Sequence, residues 1–210
     1  VPAPRRVASA AMTKPQSKAD GPPRLASGAR EVAGGALERV EAAASFADIA
    51  LDHELLSSPL SPRDAALAME LVYGTLRWQR YLDWILAPHS RRRLETLDAR
   101  VRVILRTTAY QIALLDRVPP FAAVNDAVTL APRTPGVKPF VNAVLRKLAR
   151  VGSPPPADPE SDPLGWLTSE GSLPAWLAER WLSRLGPGTA TARARALAIP
   201  PPGAFPPNPR

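Results

Sequence analysis

The side chains best spaced for chemistry are Lys138, Asn142, Arg146 and Arg150, which recur every four residues along one segment. On a helix this spacing lines up three cations and an amide on one side, while Val137, Phe140, Val141, Val144, Leu145 and Leu148 form an apolar stripe on another. Cations segregated from a core stripe suit contact with phosphates, which is tolerant of base sequence. A second group, Tyr73, Arg77, Arg80, Tyr81 and Trp84, interleaves aromatic rings with arginines, a pattern that suits stacking on unpaired bases. Trp78 and Trp84 are read here as core residues whose polar tips reach the surface. Arg77 and Arg80 remain open between RNA contact and solvation.

Other chemistries lack their residues. There is no cysteine, which removes thiolate nucleophiles, thiolate metal sites and disulfides together. His53 and His89 lie far apart without a cluster and read as surface or capping histidines. Glu38 and Glu41 read as an ordinary solvated helix side, and Arg91 to Arg93 as a solvated basic run. Asn125 and Asn142 interrupt nearly apolar helices, and bonding to backbone or to solvent is favoured over contact with a base. No Gly-rich phosphate or dinucleotide loop occurs. No catalytic residue and no metal ligand is nominated.

The elements that must position these residues are helical. Of 210 residues, 26 are proline, clustered at both ends and across 154–163, which leaves 25–152 as the compact unit. Residues 1–24 read as a flexible tail, 153–165 as a linker, and 166–210 as the start of a following domain. Residues 63–150 carry fifteen Lys/Arg against seven Asp/Glu, and the remainder has equal numbers, so an excess equal to the whole net charge of +8 lies within 63–150. That excess suggests a polyanionic partner. No apolar run approaches the length of a membrane span and no secretory h-region is present, so the cytoplasm is the expected compartment.

Within the unit, Val32, Ala33, Ala36, Leu37 and Val40 mark a first helix, and Phe46 to Leu56 a second apolar segment. Ser61-Pro62-Arg63-Asp64 starts a long helix running to Pro88, with Ser61 as N-cap. From about Asp98 to Asp116 a helix buries Val101, Ile104, Leu105, Ile112 and Leu115 and leaves Arg102 and Arg106 on an exposed side. Pro119-Pro120 opens a helix with Val124, Ala127, Val128 and Ala131 on one face, and Val137 to Arg150 follows antiparallel to it.

Several words of sequence in one order then carry a resemblance: E-L-V-Y-G-T-L-R-W with L-D-W-I-L, I-L-R-T-T-A-Y-Q-I-A-L-L-D-R-V-P-P, and V-K-P-F-V-N-A-V-L-R-K-L-A-R. From about Arg30 to Arg150 the chain resembles the NusB-like RNA-binding domain at the front of the RsmB/Sun family of ribosomal RNA cytosine-5 methyltransferases. The resemblance implies an all-α, NusB-like helical bundle with a proline-rich linker and a C-terminal helical extension. It implies RNA contact at Arg30, a basic first-helix position, and at Lys138, which precedes F-V-N-A-V-L. With Arg146 and Arg150, and joined by Arg77, Arg80, Arg117 and Lys147, these residues form the expected RNA face.

In that family a P-x-W-L…W helix leads into the rest of the enzyme. Here Leu173 to Gly186 is amphipathic, with Trp176, Leu177, Trp181 and Leu185 in phase, although the proline-laden Ala198 to Arg210 lacks the family's Arg before Asn208. Methyl transfer needs a cysteine nucleophile and a donor-binding sheet, so the catalytic half and its S-adenosylmethionine are expected beyond residue 210 or lost. This chain is therefore expected to be no enzyme by itself and to hold no cofactor. The alternative is a stand-alone NusB-like factor in transcription antitermination or ribosome biogenesis, binding RNA with a ribosomal protein. A third reading is a helical interaction domain whose basic side keeps it soluble.

Overall fold

The computed structural model describes residues 28–43, 45–58 and 60–199. The tail expected over 1–24, and nearly all of the Ala198 to Arg210 segment, lie outside them. The described residues are helical without a strand, and they divide into two compact units, one ending at Pro154 and the other starting at Pro155. The all-α expectation holds.

The first unit contains α1 (Gly28–Ala43), α2 (Ala47–Ser57), α3 (Pro62–Arg77), α4 (Gln79–Leu86), α5 (Ala99–Leu114), α6 (Pro120–Leu130) and α7 (Val137–Val151). Short 3-10 turns occupy Ala87–His89 and Leu94–Thr96. The helix starts follow from local chemistry. Ser61 Oγ accepts from the Asp64 amide at 3.2 Å with Pro62 behind it, and Asp98 accepts from the Arg100 amide at 3.0 Å, so side chains satisfy amides that have no partner within the helix. Gly152, at φ 83°, ends α7 and returns its N–H to the Leu148 carbonyl at 2.8 Å, a left-handed C-terminal position that favours glycine.

At the centre is α5, packed against α1, α3, α4, α6 and α7. Every residue from Val103 to Ala113 is buried, polar ones included. This corrects the expectation that Arg102 and Arg106 share an exposed side: neighbours surround the helix, so its non-apolar face is interior too. Around it Leu71, Leu82, Ile85, Leu86, Leu105, Leu145 and Leu148 are fully buried, each contributing about 1.5–3 kcal/mol. Across α3, Gly74 lets the Tyr110 ring lie against the backbone; a Cβ there would stand 2.2 Å from the ring.

The expected single helix from Pro62 to Pro88 is two. Trp78, at φ −100° and ψ 15°, leaves helical geometry and separates α3 from α4. The break rotates the phase of everything after it. Tyr81, expected at an edge, is therefore buried, whereas Trp78 and Trp84 pack half-buried against the core.

The second unit contains α8 (Pro163–Thr168), which begins inside the segment read as linker, and α9 (Ala175–Ala198). Gly186, at φ 73° and ψ 165°, followed by Pro187, breaks α9 into two helical limbs, and the chain stays helical past the Gly186 at which the sequence pattern ends. Its small core is Leu167, Leu173, Ala178, Ala190 and Ala194. The Arg193 and Arg195 guanidinium groups lie 4.9 and 5.1 Å from the rings of Trp181 and Trp166, stacking that adds attraction to packing. Trp176, in phase with the apolar pattern by sequence, is exposed.

Candidate nucleic-acid interface

The first unit sorts its cations by partner. Arg106 donates from Nε and Nη2 to the two Asp83 carboxylate oxygens at 2.7 and 2.8 Å, and from Nη1 to Glu41. Arg102 donates from Nη2 to Glu41 at 2.6 Å and from Nη1 to the Leu97 carbonyl at 2.9 Å. Glu41 thus anchors two arginines of α5 rather than facing solvent as its sequence position suggests. Glu38 pairs with Arg100 at 3.3 Å; burial lifts its carboxyl above the ordinary range, with Arg100 opposing.

Arg30 belongs to this paired set. Its Nε donates to Gln111 Oε1 at 2.8 Å, its Nη1 lies 3.3 Å from Asp126, and the side chain is only 12% exposed. The first-helix cation expected at the RNA face is therefore held among α1, α5 and α6. On α1 alone Arg30 falls off the apolar stripe, but α1 packs against α2, α3 and α5, so its flanks are covered as well.

On α7 the pattern reverses. Lys138, Arg146, Lys147 and Arg150 form no ion pair with a carboxylate among the described residues, and all but the half-buried Lys138 are exposed. Asn125, Val128 and Thr129 of α6 and Lys138, Pro139, Asn142 and Arg146 of α7 line an open groove of about 620 Å³. No acid lines it. Arg146 Nε donates to Asn142 Oδ1 at 2.9 Å, the i, i+4 reach visible in the sequence. Asn142 thus bonds a side chain, and Asn125 is exposed.

The opposite flank of α7 meets the turn after α4. The Arg92 guanidinium lies 5.8 Å from the centre of the Phe140 ring, and Arg91, Arg92 and Arg93 are exposed, with Arg93 3.6 Å from Glu95. His89, read as a surface or capping histidine, is buried and not on the surface, and its Nε2 lies 3.0 Å from the carbonyl of Gly152, the C-cap residue of α7. Burial pushes its pKa below the ordinary histidine value, the Gly152 bond opposes this, and the nearby Lys147 charge adds to the fall.

The remaining expected residues stand elsewhere. Arg77 ends α3 near the Tyr110 hydroxyl, which donates to Glu70. Arg80 lies in the first turn of α4, and Arg117 in the connection from α5 to α6. All three are exposed, and none lines the α6–α7 groove. Sequence reasoning paired α6 with α7 but did not bring Asn125 to the groove, because the rotation of α6 that turns Asn125 toward the side of Lys138 and Asn142 is set by packing.

The sequence model of the NusB family matches residues 27–150. The chain belongs to the NusB family. The NusB-family unit and its extension are 34% identical over 174 residues to the probable ribosomal RNA small subunit methyltransferase B of Bacillus subtilis, covering 82% of this chain and 38% of that protein. They are 43% identical over 141 residues to the ribosomal RNA small subunit methyltransferase B of Thermus thermophilus, covering 67% and 32%. The chain thus spans about a third of the length of these curated relatives. A chain in the "Crystal Structure of a Plectonemic RNA Supercoil" shares the fold at a TM-score of 0.55 and 22% identity, covering 60% of this chain and 94% of that one.

Proposed function

We propose that the NusB-family unit is an RNA-binding module that holds ribosomal RNA for a methyltransferase, and that it does so in the cytoplasm through the unpaired cations of α7. The observation that carries this reading is the segregation just described: Lys138, Arg146, Lys147 and Arg150 carry uncompensated charge, whereas Arg30, Arg102 and Arg106 are spent on carboxylates inside the protein. Uncompensated cations on one rigid helix release counterions when they meet phosphates, and this electrostatic gain needs no base-specific contact. The exposed Arg77, Arg80 and Arg117 extend the positive field without lining the groove. The relatives, similar over about a third of their length, supply the methyltransferase context and make ribosomal RNA the first substrate to test. Any partner beyond RNA would be a methyltransferase domain, or a ribosomal protein if the module acts alone.

Catalysis and the S-adenosylmethionine donor belong, in this reading, to a part of the relatives that this chain does not match. The test is a pair of titrations on the purified chain. Affinity for a structured ribosomal RNA fragment should fall linearly in log–log form with salt, by roughly 0.7–0.9 per phosphate contact. Calorimetry with S-adenosylmethionine should show no binding. A salt-independent RNA affinity, or stoichiometric binding of the donor, would overturn the reading.

A further inference from the structure

We propose that Trp176, Arg180 and Arg184, on the limb of α9 before Gly186, form a second nucleic-acid contact, in which the Trp176 ring stacks on an unpaired RNA base and the two guanidinium groups meet the flanking phosphates. The site lies in the second unit, outside the residues 27–150 that the NusB family matches. It adds to the α7 reading and does not depend on it. That unit holds three tryptophans with unlike surroundings. Trp181 and Trp166 are each covered by an arginine from the limb after Gly186, at 4.9 and 5.1 Å. Trp176 is 63% exposed and has no ring or cation contact among the described residues.

Helical spacing brings cations to the exposed ring. Trp176, Arg180 and Arg184 follow one another at i, i+4 and i+8, so they form a strip along one side of the limb, each step about 6 Å along the axis. Arg180 and Arg184 are exposed and make no ion pair among the described residues. Against its four arginines α9 carries one acid, Glu179, and that acid pairs with neither of them. A bare aromatic face beside unpaired cations matches a single strand, because stacking accepts any base and the charge tracks the backbone. A base inside a duplex has both faces covered by its neighbours, so the ring reaches only an unpaired one. A protein interface would set its tryptophan among apolar neighbours. Trp176 is instead the only large apolar side chain exposed on this limb among the described residues.

The test records the indole N–H signals of the whole chain by NMR, with the Trp176 signal identified by its loss in Trp176→Phe. A single-stranded RNA and the same strand made abasic are titrated in turn. Stacking should move the Trp176 signal upfield with the first strand and leave it in place with the second. The signals of Trp166 and Trp181, already covered by arginine, should stay where they are. In a Lys138→Ala with Arg146→Ala background, where α7 contributes least, Trp176→Ala should weaken single-strand binding roughly tenfold and Trp176→Phe much less, since any aromatic face stacks. Neither change removes charge, so the salt slope should hold. Arg180→Ala with Arg184→Ala should flatten the slope read at the Trp176 signal by roughly 1.4 for two contacts. A Trp176 signal that neither strand moves overturns the contact and leaves protein docking as the use of the strip. A signal that both strands move equally shows phosphate contact without stacking and overturns the base contact. In either case the α7 reading stands.

Discussion

The seam between α1 and α5 and the outer side of α7 are both rich in arginine, yet they use it in opposite ways. At the seam Arg30, Arg102 and Arg106 each reach a carboxylate, and Arg106 is closed in by Glu41 and Asp83. Along α7 the cations meet an amide, as Arg146 meets Asn142, or open solvent. The difference lies in what faces each helix. Carboxylates from α1 and α4 stand opposite α5, whereas the groove beside α7 is lined by amides, a hydroxyl and apolar groups. The charge excess of the unit is therefore not spread evenly over it. A cation with a carboxylate partner has already traded its water, and only one without such a partner gains fully from a phosphate.

The largest effect expected on this contrast is at the seam. Replacing Arg106 alone by Ala leaves Glu41 and Asp83 facing each other with one guanidinium fewer in a buried site. A loss of about 3–5 kcal/mol of stability is expected. Denaturant unfolding measures it directly, and a cost below 1 kcal/mol would mean that the triad is solvated and the contrast false. RNA affinity, measured where the variant is still folded, should not change.

A smaller effect sharpens the contrast at the edge of the α7 strip. His89 is buried against Gly152 with Lys147 nearby, and its folded-state pKa is lowered chiefly by burial. The unfolded chain then takes up a proton that the folded chain resists, so stability is full above the ordinary histidine value of about 6.5 and declines as pH falls through and below it. Melting curves across this range should show the decline, and His89→Gln should flatten it. A wild-type melting temperature that rises on acidification through this window would contradict the assignment.

Much of this arrangement was legible in the sequence, and the physical reason differs from element to element. The stripes of α6 and α7 each have one buried face, so period 3.6 alone located them, and Ser61 announced α3 by its capping chemistry. The Lys138 and Arg146 side of the groove followed from spacing along one helix. What could not be read depended on distant partners. Arg102 and Arg106 look exposed because α5 carries polar residues on that side, but the carboxylate that holds both, Glu41, lies more than sixty residues earlier in the chain. The partners of Arg30 are hidden from the sequence for the same reason, as Gln111 and Asp126 come from α5 and α6. The break at Trp78 has no glycine or proline to signal it, and it moved Tyr81 from the edge to the interior.

If pairing decides the use of each cation, those without a carboxylate partner bind RNA and the paired ones do not. The most direct test compares the salt dependence of RNA affinity for two double variants. One, Lys138→Ala with Arg146→Ala, removes two unpaired cations. The other, Arg39→Ala with Arg100→Ala, removes two surface arginines paired to Glu54 and Glu38 at 2.7 and 3.3 Å. The charge removed is the same, and surface changes of either kind should alter stability by no more than about 0.5–1 kcal/mol. The first variant should flatten the slope of log affinity against log salt by roughly 1.4–1.8 for its two lost phosphate contacts, while the second leaves it within error of wild type. Equal flattening by both variants, or flattening by the second alone, would show that pairing to a carboxylate does not decide which cations meet RNA.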